Sequence, residues 1–192
     1  MSRDSILVVC TGNICRSPVG EAILHDALSG AGIDVTSAGT HAAAGRAAAP
    51  ETVEFVSRHL GRELDHVGRQ LDKPTAEAAD LIITMTEEHR SWVAGIAPRT
   101  VRRIFTLVEL EQVLALLPPE QSFDTFRELA MAASRLRARA GVNSTSKDIA
   151  DPYGGPAEGY EESFRLVAEA CGRIVPALRQ HLHLDPGAPQ HG

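Results

Sequence analysis

The chain reads as an α/β protein, a doubly wound sheet of four parallel strands with helices on both faces. Short, β-branched apolar runs recur along it, stretches of helical spacing separate them, and the first run ends in a glycine-containing loop that opens into a helix. The first run, Ile6-Leu7-Val8-Val9, is apolar at every position, as expected for a strand buried on both faces. The loop Cys10 to Pro18 follows, and Val19 to Leu24 reads as the next helix. Ile33 to Thr40 reads as a second strand leaving into a loop, and His41 to Pro50, mostly Ala and Gly without periodicity, as a surface loop rather than core. From Pro50 to Leu60, Val53, Phe55, Val56 and Leu60 fall at helical spacing and Gly61 ends the helix. Asp80 to Met85 is the third strand, and Val101 to Phe105 the fourth.

Leu107 to Ala140 reads as helical, broken near Pro118-Pro119, and the polar stretch Asn143-Ser144-Thr145-Ser146 follows, so residues 109–147 are assigned as a helical insertion or lid. Asp148 to Pro156 is a shaped Pro- and Gly-rich loop. A final helix from about Gly159 to His181 buries Phe164, Val167, Ala168, Cys171, Ile174, Val175 and Leu178, with Pro176 as a kink position. Residues 1–184 thus form one domain, and 185–192 a disordered tail.

At 192 residues and 43% hydrophobic content, the chain fits one core of ordinary size. A formal charge of -6 argues against a protein that grips nucleic acid phosphates without specificity. No segment has the length of a membrane-spanning helix, and Met1-Ser2-Arg3-Asp4 leads straight into a strand rather than a signal peptide, which predicts a cytoplasmic protein with no membrane partner. Three cysteines, two of them in one loop, make neither a disulfide framework nor a four-ligand zinc site, and they fit a reducing compartment.

The chemistry concentrates in Cys10-Thr11-Gly12-Asn13-Ile14-Cys15-Arg16-Ser17. A strand delivers this loop to the end of a sheet, where ligands of such sheets bind, and the following helix turns its unpaired N–H groups and positive dipole end back onto it. Those donors suit a phosphate, and they also suit a thiolate, which makes a cysteine placed there a nucleophile. Gly12 permits close backbone approach, Asn13 tolerates a left-handed turn, Arg16 can fork onto two oxygens, and Ser17 can donate to the sulfur. The Gly-Lys-Ser/Thr ending of a nucleotide P-loop is absent.

This loop resembles the signature of the low-molecular-weight protein tyrosine phosphatases. Ser37-Ala38-Gly39-Thr40, His66 before Arg69-Gln70, the strand from Asp80 to Met85 and Asp151-Pro152-Tyr153 resemble that family's order over nearly the whole chain, with the segment from about Glu109 to Lys147 unusually long. The resemblance implies hydrolysis of phosphotyrosine in a phosphorylated protein, without metal or other cofactor. Cys10 would attack phosphorus while Arg16 and the loop residues Thr11, Gly12, Asn13, Ile14, Cys15 and Ser17 hold the phosphoryl oxygens. Asp151 would protonate the leaving group and later activate water, with Asp148 the nearest rival. The family match further implies that Asn13, Ser37 and His66 hold the loop's shape. Cys15 lies near enough in the loop to form a disulfide with Cys10 if the backbone allows it, and otherwise is a small buried hydrophobe.

Tyr153 supplies an aromatic wall for a phosphotyrosine ring, yet His41 to Ala49 has no aromatic partner for it, and Gly154 replaces a tyrosine common in the family. Thr84-Met85-Thr86 to His89 and Asp151 to Gly155 are also similar to the family's protein arginine phosphatase branch, which carries threonine where this loop has Ile14. An isoleucine offers an apolar shelf to an aryl group and no hydroxyl to a guanidinium phosphate, and so favours phosphotyrosine. Arsenate reductase on the same scaffold relays oxidation through an additional cysteine pair, and here only Cys171 remains. A noncatalytic phosphoprotein-binding module would need neither Cys10 nor Asp151.

Overall fold

The computed structural model describes residues 4–137 and 148–184. The readings of Met1-Ser2-Arg3, of the polar stretch at 143–146 and of the tail at 185–192 lie outside them. Four strands, β1 (Ser5–Cys10), β2 (Asp34–Gly39), β3 (Leu81–Thr84) and β4 (Ile104–Thr106), form one parallel sheet in the order β2-β1-β3-β4. The chain leaves β1 towards β2 on one side and then crosses to β3 on the other. The carboxyl end of β1, where Cys10 sits, is therefore the point where the winding reverses and a crevice opens.

The all-apolar β1 run has the predicted cause. Ile6, Val8 and Cys10 face one buried cluster, while Leu7 and Val9 face another. Seven helices cover the sheet among the described residues: α1 (Arg16–Ala27), α2 (Pro50–Leu60), α3 (Lys73–Ala78), α4 (Glu87–Ile96), α5 (Leu107–Leu114), α6 (Phe126–Arg137) and α7 (Ala157–Leu182). The larger cluster takes Leu24 of α1, Val56 of α2, Leu110 of α5, Leu129 of α6 and Phe164 of α7. The smaller takes Ala76 of α3 and Val93 of α4.

Several boundaries differ from the sequence reading. Helix α1 begins at Arg16 rather than Val19, because a proline at position 18 sits in the first turn, where its missing N–H leaves no bond unmade. Helix α7 begins at Ala157, two residues earlier than the spacing indicated. The fourth strand starts only at Ile104. Residues Pro98–Arg103 form a 3₁₀ helix in which the Thr100 hydroxyl donates to the Ala97 carbonyl at 2.7 Å, and the buried Arg103 donates to the carbonyls of Ala79 and Glu77. Helix α3 has no apolar stripe long enough to betray it, but Asp72 caps it by accepting from Thr75 N at 2.9 Å.

The loop from His41 to Pro50 is also not merely surface. Ala43 N donates to Gly12 O and Ala49 N to Ile14 O, both at 2.9 Å, and Ala48 and Ala49 are buried. Its apolar residues are too small to show periodicity, yet small size is what lets this backbone lie against the Cys10 loop. In the long segment after β4, α5 and α6 pack into the larger cluster through Leu110, Val113, Phe126 and Leu129, with Pro118-Pro119 between the two helices.

Candidate active site

The two polar groups that meet Cys10 Sγ belong to Asn13 and Ser17. Asn13 N donates to Sγ at 3.3 Å, and Ser17 Oγ lies 2.9 Å from it. Asn13 Nδ2 donates to Ser17 Oγ at 2.9 Å, which leaves the serine's own proton to point at the sulfur. The same Nδ2 donates to Ser37 Oγ at 2.7 Å, and Oδ1 accepts from Arg69 N at 2.8 Å, so this buried amide is fully paired. Asn13 needs that anchoring because its φ is 55°, in the left-handed region that side chains other than glycine adopt at a cost. His66 Nε2–H donates to the Asn13 carbonyl at 2.8 Å, and its Nδ1 faces Glu21 at 3.5 Å. Burial opposes ionisation of Glu21, but hydrogen bonds from His66 and Ser37 prevail and hold its carboxyl below the usual glutamate range.

The close backbone approach falls at Gly39 rather than Gly12. A Cβ on Gly39 would lie 2.5 Å from Thr11 O and 3.0 Å from Ala42, whereas one on Gly12 would meet only Ile14 at 3.5 Å. Gly39 ends β2 alongside Cys10, and its hydrogen is what lets the second strand shoulder the loop.

Arg16 is 2% exposed although it carries a charge. Its Nη1 donates to Ile149 O at 2.8 Å, and its Nη2 donates to Thr11 Oγ1 at 3.2 Å and to Asp151 Oδ2. Thus Asp151, 135 residues downstream, meets the loop at its arginine. The Asp151 side chain is 43% exposed, and its Oδ1 accepts from Tyr153 N at 3.2 Å. Asp148 lies elsewhere: its Oδ1 accepts from Glu87 N at the start of α4, at 2.8 Å.

These groups line a cavity of about 280 Å³ walled by Cys10, Thr11, Gly12, Ile14, Cys15, Arg16, Asp151 and Tyr153, with His41, Ala42, Ala43 and Arg46 opposite. Asn13, Ser17, Ser37 and His66 stand behind the loop rather than in the cavity. Cys10 and Cys15 are free thiols in this structure, and burial pushes the Cys15 thiol up to about 12, so it stays protonated at neutral pH. Cys171, inside α7, is pushed up to about 12 by burial alone.

Sequence reasoning assigned no role to His89, Arg46 or Arg69. His89, on α4, places Nε2 2.9 Å from Thr11 Oγ1 and Nδ1 2.9 Å from Thr86 Oγ1. Burial, reinforced by Arg16, pushes its imidazole down to about 4, so it is neutral at pH 7. Its only sequence signal is its place in the first turn of a helix capped by Thr86, which follows β3.

The sequence profile of the low molecular weight phosphotyrosine protein phosphatases matches residues 5–130. A probable low molecular weight protein-tyrosine-phosphatase, EpsP of Ralstonia nicotianae, is 30% identical over 175 residues, 91% of this chain and 96% of its own. A protein-arginine-phosphatase of Bacillus subtilis is 28% identical over 178 residues, 91% of this chain and 97% of its own. The crystal structure of the tyrosine phosphatase Wzb from Escherichia coli K30 with phosphate superposes with a TM-score of 0.65 at 26% identity, covering 92% of this chain and 99% of Wzb. The strand-loop-helix that carries Cys10 and Arg16 lies within the matched profile, and on that ground the chain belongs to the low molecular weight phosphotyrosine protein phosphatase family.

Proposed function

We propose that this phosphatase hydrolyses phosphotyrosine in a protein substrate through a phosphocysteine on Cys10. The observation that carries this reading is the convergence of a sulfur facing two donors, a buried arginine and an aspartate on one small cavity. Arg16 adds to it. Its Nε–H is buried and has no acceptor among the described residues, and a phosphoryl oxygen supplies the partner that a buried donor requires.

In the first step Cys10 Sγ forms a bond to phosphorus as the bond to the tyrosine oxygen breaks, and Asp151 passes its proton to that oxygen. Arg16 and the N–H groups at the start of α1 hold the equatorial oxygens, where the helix dipole favours negative charge. In the second step Asp151 takes a proton from water, the water oxygen bonds to phosphorus, and the sulfur leaves. Asn13, Ser37 and His66 keep the loop in shape for both steps. Ile14 and Tyr153 form the apolar sides that receive the aryl ring.

A protein arginine phosphatase is the second reading, favoured by the Bacillus subtilis relative and by Gly154-Gly155 beside Tyr153. Side-by-side turnover of phosphotyrosine and phosphoarginine peptides, on the unmodified protein and on Ile14→Thr, separates the two. The unmodified protein should prefer phosphotyrosine and the variant should lose part of that preference; a preference of the unmodified protein for phosphoarginine overturns the assignment.

A further inference from the structure

We propose that His89 is a positioning residue for the general acid, acting through the Thr11 hydroxyl as the middle link of a one-way hydrogen-bond chain Thr86–His89–Thr11–Asp151. The inference rests on Asp151 being the proton donor of the reaction proposed above.

The direction follows from counting protons. Thr11 Oγ1 has one hydrogen and three polar neighbours: Arg16 Nη2 at 3.2 Å, Asp151 Oδ2 at 3.3 Å and His89 Nε2 at 2.9 Å. The guanidinium can only donate, and an ionised carboxylate can only accept. Thr11 therefore gives its proton to Asp151, and its two lone pairs receive Arg16 and His89 Nε2–H. Nδ1 is then the bare nitrogen and accepts the hydroxyl proton of Thr86, whose oxygen in turn accepts His89 N at 3.2 Å. Every donor and acceptor in the chain is used once this tautomer is chosen. The opposite tautomer turns the Thr11 proton towards the ring and leaves Asp151 without it.

This arrangement also decides where the acid keeps its proton. Oδ2 faces two donors, Thr11 and Arg16, while Oδ1 accepts, among the described residues, only Tyr153 N. A proton on the carboxyl group is thus held at Oδ1. When a phosphoryl group draws Arg16 onto its own oxygens, the Thr11 hydroxyl is the loop contact that still orients Asp151. His89 is 5% exposed and set in α4, so it holds that hydroxyl from a rigid element. A neutral ring suits the place, since a second positive charge beside Arg16 would compete for Asp151.

The test uses leaving groups. A proton donor matters greatly when phenolate departs and little when p-nitrophenolate does, so a lost positioning residue makes kcat/KM fall more steeply with leaving-group pKa. For His89→Ala we expect a loss of about 10-fold with phenyl phosphate and under about 2-fold with p-nitrophenyl phosphate. His89→Gln, which retains an N–H donor, should recover part of the loss. In a Thr11→Val background, His89→Ala should add less than about 2-fold, because the chain is already cut. An equal loss across all leaving groups, no loss at all, or full additivity with Thr11→Val overturns the proposal. If His89→Ala fails to fold, the same series on His89→Phe, which fills the ring's place without a donor, decides it against Thr11→Val by the same criteria. Failure of the unmodified protein to hydrolyse any aryl phosphate strikes the proposed function instead.

Discussion

Residues 10–17 and residues 148–156 share one cavity but are attached to the protein in different ways. In the Cys10 loop all but Thr11 and Gly12 are buried, and the amide of Asn13 alone ties it to Ser17, Ser37 and Arg69. In the Asp151 loop only Ile149 and Pro152 are buried. A few polar tethers hold the segment: Ile149 N to Met85 O at 2.9 Å, Ser163 Oγ to Ala150 O at 3.1 Å and Gly154 N to Tyr160 Oη at 3.1 Å. The proposed nucleophile Cys10 and its loop are thus part of the core, while Asp151 and Tyr153 hang from its rim. Damage to the first should cost stability and activity together; damage to the second should cost activity alone.

Cys10→Ser gives the largest effect. Turnover of an aryl phosphate should fall by about 10⁴-fold or more, and mass spectrometry of the acid-quenched unmodified protein under turnover should find a phosphocysteine at the tenth residue. Turnover surviving the change, or lost on chelation of metal ions from the unmodified protein, contradicts the mechanism. Asp151→Asn should slow turnover by roughly 10²- to 10⁴-fold while moving the unfolding free energy by less than about 1 kcal/mol. An unchanged rate would take the proton-donor role away from Asp151, and a large loss of stability would erase the contrast between the loops.

Asn13→Ala should do what Asp151→Asn does not. It leaves buried partners unpaired and removes the side-chain hydrogen bonds that hold a residue other than glycine at a φ of 55°, so denaturant unfolding should show a loss of about 3 kcal/mol. His89 links the two regions and sharpens the comparison through pH. Its folded-state value of about 4 lies below the unfolded value of 6.5, so the unfolded chain binds more protons between them. Stability should therefore decline as pH falls from 6.5 towards 4.5, by about 2 kcal/mol from this residue, and His89→Gln should flatten that slope. A slope unaffected by the substitution would mean that the ring is not held neutral. The smallest effect belongs to Tyr153→Ala: with its ring 56% exposed, it should raise KM for a phosphotyrosine peptide a few-fold and leave stability unmoved.

Much of the fold was legible because β1 and β3 are continuous apolar runs that only a sheet covered on both faces accommodates. Helix α2 was legible to the residue, between Pro50 and the left-handed Gly61. The start of β4 was not, because Val101 and Arg103 look like strand residues until the Pro98 turn coils them. Nor was the pinned course of the loop after Thr40, since alanines carry no pattern. In the site, Cys10, Arg16 and their neighbours could be read as a unit, whereas His89 is one histidine in a helix with nothing in its spacing to distinguish it.

Sequence alone determined the make-up and local shape of the Cys10 loop, because its cysteine, arginine and left-handed asparagine lie within seven residues and the following helix is obliged to turn its N–H groups back on them. Only the tertiary structure decided how distant residues meet it, and which unforeseen ones do. Ile149, Asp151 and His89 reach the loop because α4 and the segment before α7 pack at particular places on the sheet, His66 because the connection between α2 and α3 runs beside it, and a hydrogen bond depends on an angle and a few tenths of an ångström that no spacing in a chain encodes.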